Sequence, residues 1–216
     1  VDIIINCIAE RQNEKCENDF NYIKKTNIDI TENISKVCGL LNIYMIHLST
    51  DYVYDGQNPP FLPSTQPNPL QNYGISKLIS EKRVMSNIPY EYLILRIPVL
   101  YSDNLLSLKE SAVSLIIKKL MNKLDSFEED NYSLRRPLFI EDLAYFISKQ
   151  FDKNNRLSGI HCFYNPYEKY TKYQIMSLGA HILNKSMEHI YPINNKPIYQ
   201  RAKRPRDTNL YDPSIE

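Results

Sequence analysis

Three side chains at one spacing carry the chemistry this chain can do. An apolar run, Ile43 to Leu48, gives way to Ser49, Thr50 and Asp51, and Tyr73 and Lys77 follow Thr50 by 23 and 27 residues. An apolar run ending in hydroxyls and a carboxylate reads as a buried strand that delivers side chains to a pocket at its C-terminal end. Tyr73 and Lys77 stand four apart in a helical stretch from Asn72 to Asn87, so they share one helix face. A hydroxyl, a phenol and an ammonium in one pocket suit hydride transfer to a ketone. The carbonyl oxygen must gain a proton as hydride arrives. A phenol can supply it, although its ordinary pKa of about 10 is poorly matched to neutral pH. A nearby ammonium favours the phenolate and lowers that pKa. The Thr50 hydroxyl can donate to the same oxygen.

Spacing alone selects nothing. Tyr-x-x-x-Lys occurs at Tyr73/Lys77, Tyr145/Lys149 and Tyr199/Lys203 in a chain with 17 Tyr. Only the first follows Ser-Thr-Asp on a strand end, and the other two read as surface pairs.

Around the trio lie recognisable stretches: INCIAE at 5–10, STDYVYDG at 49–56, PNPLQNYGISK at 67–77, LRIPVLY at 95–101 and RPRDTNL at 204–210. With them the chain resembles the extended short-chain dehydrogenase/reductases, in particular the dTDP-4-dehydrorhamnose reductase-like family. That family includes the methionine adenosyltransferase regulatory beta subunit, which binds NADP but serves as a partner.

The resemblance implies an α/β Rossmann-type parallel sheet with a small C-terminal substrate lobe. Residues 1–126 would be the remainder of the NAD(P)-binding domain with the catalytic helix, and 127–216 the lobe, with some return of the chain to the sheet. It implies Thr50, Tyr73 and Lys77 as catalytic residues, Lys77 also anchoring a ribose. Cys7, Ile8 and Ala9 would line the nicotinamide-side ribose through their backbone. Asn27 would hold that strand end, and Ser49 would stand on the cofactor side. Ile97, Pro98 and Val99 would pass beside the nicotinamide ring. Asp51 and Tyr52 would lie near the sugar. The implied cofactor is NADPH, with NADH as the alternative, and the implied substrate is a nucleotide-linked 4-keto-6-deoxyhexose. A homodimer built on the catalytic helix and the long helix before it is also implied.

The family's phosphate-cradling loop is missing from this chain. Its five glycines, Gly39, Gly56, Gly74, Gly159 and Gly179, form neither G-x-G-x-x-G nor G-x-x-G-x-x-G. The N-terminal βαβ portion that would carry such a loop is therefore read as lost or disordered, rather than as never part of the fold.

Composition removes other classes. A net charge of +1 and a pI near 7.8 give no electrostatic case for nucleic acid or a membrane surface. Lys24-Lys25 and Lys118-Lys119 read as solvated faces. Cys7, Cys16, Cys38 and Cys162 have no metal-type spacing and suggest no disulfide framework, so a reducing, cytoplasmic setting is the simple reading. Cys7 reads as a small buried hydrophobe. The four His are scattered, and no metal site is expected. No segment reaches 18 apolar residues, and the start lacks the basic region of a signal peptide.

The positioning elements follow from pattern. Val1 to Ile8, almost continuously apolar, reads as a central parallel strand buried on both faces. Asn18 to Leu41 reads as one long helix, Ile43 to Leu48 as a strand, and 57–71 as a Pro-rich loop. The helix from Asn72 would be capped by Asn72 itself and pack Leu78, Ile79 and Val84 inward, leaving Glu81, Lys82 and Arg83 outside. Tyr90 to Ile97 is another strand, and Ser111 to Lys123 a helix burying Ala112, Leu115, Ile116 and Leu120. Leu124 to Ser133 reads as an acidic loop, Gly159 to Tyr164 and His189 to Ile193 as strands, and Thr171 to Leu183 as a helix capped by Thr171. Arg135-Arg136 and the run Gln200 to Arg206 are either solvated or a diphosphate clamp, with Arg136 and Arg204 as its candidates. Rival readings are a non-catalytic regulatory subunit, an epimerase retaining NAD, and a bifunctional epimerase-reductase.

Overall fold

A computed structural model describes residues 1–103, 111–122, 125–197 and 202–215. Its centre is a four-stranded, all-parallel sheet in the order β1-β2-β3-β7, formed by β1 (Ile3–Asn6), β2 (Tyr44–Thr50), β3 (Tyr92–Ile97) and β7 (Gly159–Cys162). Alternation along β2 divides the core between the two faces. Tyr44 and Ile46 pack with Leu93, Leu95, Ile97, Leu138, Leu143 and Ile147 on one side. Met45 packs with Cys38, Ile43, Val84, Ile88 and Ile94 on the other. The α/β class expected from the sequence is the one observed.

The first strand differs from expectation. It is an edge rather than a centre among the described residues, because it pairs only with β2, and Ile5 is 40% exposed. The long helix is also not uniform. A short α1 (Asn13–Asn18) comes first, then α2 (Phe20–Ile23), which passes through a π-helical turn, Lys24–Asp29, into α3 (Ile30–Leu41). Such turns are rare and occur frequently at functional sites. Here the turn carries Asn27, which is fully buried.

Helix α4 (Asn72–Asn87) packs across α3 and against β2. Its cap is Gln71, whose side chain accepts from the Gly74 amide at 2.8 Å, and not Asn72. Asn72 is already helical, and its amide is taken by Glu17 Oε1 at 2.6 Å. Val84 is buried as expected, whereas Leu78 and Ile79 are half-buried. Glu81 is not on an outer face: it is wholly buried.

The remaining elements are β4 (Leu100–Tyr101), α5 (Ala112–Asn122), β5 (Phe127–Asp130), β6 (Leu138–Phe139), α6 (Ile140–Lys149), α7 (Lys172–Ile182) and β8 (Ile190–Ile193). On α5 the buried face is Ile116 and Leu120, while Leu115 is 42% exposed. The stretch read as an acidic loop contains β5, paired in parallel with β8. Its acids tolerate burial because Glu129 meets Lys119 at 2.6 Å and Asp130 meets Arg135 at 3.3 Å. Thr171 does cap α7, in a reciprocal box with Gln174. Of residues named in the sequence reading, Lys123, Leu124, Tyr199, Gln200 and Arg201 lie outside the described ones. Among the described residues no helix is long and apolar enough to cross a membrane.

Candidate active site

The C-terminal ends of β1, β2 and β3 lie side by side, with Asn6 in register with His47 and Thr50 with Ile97. Strand β2 continues through Ser49 and Thr50, and a 3₁₀ turn at Asp51–Val53 follows. The Thr50 side chain caps that turn, accepting from the Tyr52 amide at 3.2 Å. Its hydroxyl donates to Asp51 Oδ1 at 3.1 Å and is within hydrogen-bonding reach of the Tyr73 phenol. The Tyr52 ring meets Tyr73 edge-on, centroids 6.5 Å apart. Thr50, Asp51, Tyr52 and Tyr73 therefore form one constellation.

Lys77 is one helical turn further along the same face and is 2% exposed. Its Nζ lies 3.2 Å from His47 Nε2. Among the described residues no hydrogen bond joins it to Tyr73. Burial pushes the Lys77 pKa down to about 8, opposed by Glu81 and Cys7. Burial pushes the Tyr73 phenol above its ordinary range, opposed by the Thr50 hydrogen bond. The expectation that Lys77 lowers the phenol pKa is not met in this arrangement. The ammonium faces His47, and its own charge is weakened by desolvation.

Asp51 is buried, and its pKa is raised to about 6 by desolvation, against hydrogen bonds from Thr208 and Thr50. Thr208 lies in the RPRDTNL stretch, so this carboxylate ties the C-terminal segment to the strand end.

Asn27 holds the turn after β1. Its Oδ1 accepts from the Glu10 amide at 2.7 Å, while Nδ2 donates to the Glu10 carbonyl at 3.1 Å and to Ser76 Oγ at 2.9 Å. That turn presents Cys7 and Ile8 to solvent and Ala9 half-buried. Cys7 is thus exposed, contrary to its reading as a buried hydrophobe: its strand ends at Asn6, although its thiol is still near enough to Lys77 to interact with it. Ile97 and Pro98 are buried at the neighbouring end of β3.

Ser49 makes its hydrogen bond within the protein. Strand alternation turns it toward α4, where its hydroxyl donates to Glu81 Oε1. Arg136 stands 3.7 Å from Asp207, and its Nε is buried without a hydrogen-bond partner. Arg204 stands 3.4 Å from Glu14. Sequence reading missed Lys172, whose pKa burial lowers to about 8, with further depression from Arg204 and Arg135. It also missed His47, Arg96 and Thr208. The first two are internal to strands, where pattern reading assigns only packing.

A profile of the RmlD substrate binding domain matches residues 1–216. The chain is 33% identical over 210 residues to methionine adenosyltransferase 2 subunit beta of Bos taurus, covering 96% of this chain and 62% of that protein. It is 37% identical over 102 residues to a probable low-salt glycan biosynthesis reductase of Haloferax volcanii, covering 47% of this chain and 34% of that protein. The chain thus spans less than two thirds of the length of these curated relatives. In fold it is similar to a dTDP-4-dehydrorhamnose reductase of Bacillus anthracis solved with NADP. The TM-score is 0.83 at 20% identity, over 97% of this chain and 71% of that one. A second such reductase, from Clostridium acetobutylicum, gives a TM-score of 0.82 at 24% identity.

Proposed function

The chain belongs to the RmlD substrate binding domain family, and from that premise we propose that it is the catalytic and substrate-binding part of an NADPH-dependent reductase of a nucleotide-linked 4-keto-6-deoxyhexose. The observation that carries this reading is the cluster at the end of β2, where Thr50 is bonded to Asp51 and the Tyr52 amide and the Tyr52 ring meets Tyr73 edge-on, with Lys77 one turn along the same helix face.

When bound, the reduced nicotinamide supplies a hydride to the carbonyl carbon. Tyr73 gives its phenolic proton to the carbonyl oxygen. Its raised pKa keeps that proton on the phenol at neutral pH, so the acid is loaded before substrate arrives. Thr50 can turn its one hydroxyl proton from Asp51 Oδ1 to the same oxygen. Lys77, buried and close, offsets the charge left on the phenolate and offers its ammonium to a ribose hydroxyl. The donor set at the strand ends fits the ribose and ring portion of such a cofactor: an ammonium, a phenol and the open turn of Cys7, Ile8 and Ala9. On the substrate side, Asp51 and Tyr52 flank Tyr73. Arg135, Arg136, Lys172 and Arg204 supply the cationic chemistry a diphosphate needs. Residues from 127 onward are assigned to this substrate lobe, apart from β6, α6 and β7, which return to the main sheet and its core. A homodimer across α3 and α4 is proposed as well; Val37, Leu40 and Leu41 of α3 are 46%, 82% and 64% exposed.

A second reading has its own support. The Bos taurus relative is named as a methionine adenosyltransferase subunit, so a non-catalytic NADP-binding regulatory role is the alternative. The test mixes the protein with NADPH and a UDP- or dTDP-4-keto-6-deoxyhexose and follows nicotinamide absorbance. Oxidation by wild type, lost in Tyr73→Phe, is the expected result. NADPH binding without oxidation of either sugar nucleotide, together with co-purification of a methionine adenosyltransferase catalytic subunit, would favour the second reading.

A further inference from the structure

His47 is fully buried in β2, and the chemistry above does not use it. Its ring nevertheless sits among groups whose donor and acceptor roles are fixed. Asn6 Oδ1 accepts from the Ile8 amide at 3.1 Å. Asn6 Nδ2 therefore faces Thr31 Oγ1 at 3.1 Å and His47 Nδ1 at 3.2 Å. Thr31 donates its own proton to the Asn27 carbonyl at 2.9 Å, so it accepts from Asn6. Nδ1 of His47 is thus an acceptor. Burial, reinforced by Lys77, holds the ring neutral, with a pKa well below the ordinary range. A neutral imidazole that accepts at Nδ1 carries its proton on Nε2. Ser80 Oγ, which donates to the Lys77 carbonyl at 2.7 Å, receives that proton at 3.1 Å. Lys77 Nζ, 3.2 Å from the same nitrogen, meets an N–H and no lone pair.

The opposite tautomer would require the Asn6 amide to turn over. Its NH₂ would then face the Ile8 N–H, and its oxygen would face the Thr31 oxygen. Two hydrogen bonds would be lost in a buried place, where unmet donors are costly.

We propose that His47, locked by Asn6 with its proton on Nε2, is a positioning residue for Lys77: it denies the amine an acceptor on the sheet side and so directs the amine's protons toward the open strand ends where Tyr73 stands. The catalytic consequence rests on the reductase reading, but the tautomer and the behaviour of Lys77 belong to the chain alone. Glu81 faces Lys77 from the next turn of α4, Cys7 from the end of β1, His47 from β2 and Tyr73 from one turn earlier. Glu81 and Cys7 favour the ammonium, yet the Lys77 pKa still falls to about 8.

Two measurements decide it. Nitrogen-15 NMR of the imidazole rings in the wild-type protein should show His47 neutral, with the proton on Nε2. A proton on Nδ1 would overturn the proposal. The second is the titration of Lys77, followed by NMR of labelled lysine with Lys77→Met for assignment, in wild type and His47→Gln. Glutamine can keep an N–H on Ser80 while turning its oxygen to Lys77, which favours the ammonium, so the Lys77 midpoint should rise by about one unit. An unmoved midpoint in a folded His47→Gln would also overturn it. Should that variant not fold, the wild-type tautomer is decisive. If both NMR results hold and no sugar nucleotide oxidises NADPH, the reductase reading fails while the role of His47 stands.

Discussion

Glu81 and Arg96 meet as a bidentate pair sealed from solvent, with Nη2 to Oε2 at 2.7 Å and Nε to Oε1 at 3.1 Å. Ser49 donates to the same carboxylate, and Arg96 Nη1 reaches the Tyr54 hydroxyl at 2.6 Å and the Pro63 carbonyl at 3.1 Å. One ion pair thereby joins the end of β2, helix α4, strand β3 and the Pro-rich loop. Removing one partner leaves a buried charge unmatched. Arg96→Met should lower unfolding free energy by about 3–5 kcal/mol in urea titrations. The double variant Glu81→Leu/Arg96→Met should lose less than that single one, because it buries no orphan charge. Equal losses in the two would mean that packing, not charge, is what the single variant disturbs.

Asp51 gives a pH dependence of definite sign. Its folded pKa, raised to about 6 by burial, lies above the unfolded value near 4. Its stabilising contribution is therefore fully present below about pH 4 and is lost as pH rises through 6. Other carboxylates, among them Glu129 and Asp130, are shifted the opposite way, so the wild-type curve alone is not diagnostic. The informative quantity is the stability of Asp51→Asn minus that of wild type. It should rise by about 3 kcal/mol between pH 4 and pH 7 and then level off. A flat difference would show that Asp51 titrates normally.

Gly74 opens the first turn of α4 directly beneath Tyr52. A Cβ there would overlap the Tyr52 carbonyl oxygen and press on Pro69. Backbone cannot move aside as the end of a side chain can. Gly74→Ala should therefore cost about 1–3 kcal/mol and separate the Tyr52 and Tyr73 rings. Thermal unfolding checks the first effect. Turnover relative to a neutral α4 surface variant, Lys82→Ala, checks the second. Stability and turnover both matching wild type would mean that the turn can open.

The trio was legible because each member sits where a local rule is strong: Thr50 at the end of an apolar run, Tyr73 and Lys77 four apart on a helix. Glu81 was misread for a reason also visible in the sequence. Lys77, Glu81, Val84 and Ile88 fall on one helical stripe, and all four are buried. The period pointed inward, but charge was taken as the stronger signal because the partner, Arg96, is fifteen residues away on another element. The acidic strand β5 was missed in the same way, since its neutralising partners Lys119 and Arg135 are supplied by tertiary contacts. No local rule announces a π-helical turn, so the inward aim of Asn27 rested on resemblance alone. Strand alternation would have turned Ser49 away from Thr50, had the strand been carried two residues further.

Thr50 does two jobs, and two readouts can tell them apart. Its oxygen caps the turn at Tyr52, and its hydroxyl reaches Asp51 and the Tyr73 phenol. Thr50→Val keeps the shape and removes both. Loss of the cap should cost about 1 kcal/mol in thermal or urea unfolding. Loss of a donor aimed at the reacting oxygen should lower turnover by about 10²-fold. Thr50→Ser restores the hydroxyl without the methyl, so it should recover the cap and most of the turnover. The Thr50 hydrogen bond is also what opposes the upward push of burial on Tyr73. Without it the phenol becomes a weaker acid, and the lost turnover should appear in kcat with KM for the sugar nucleotide little changed. A loss confined to KM would instead assign Thr50 to substrate binding and leave proton delivery to Tyr73 unaided.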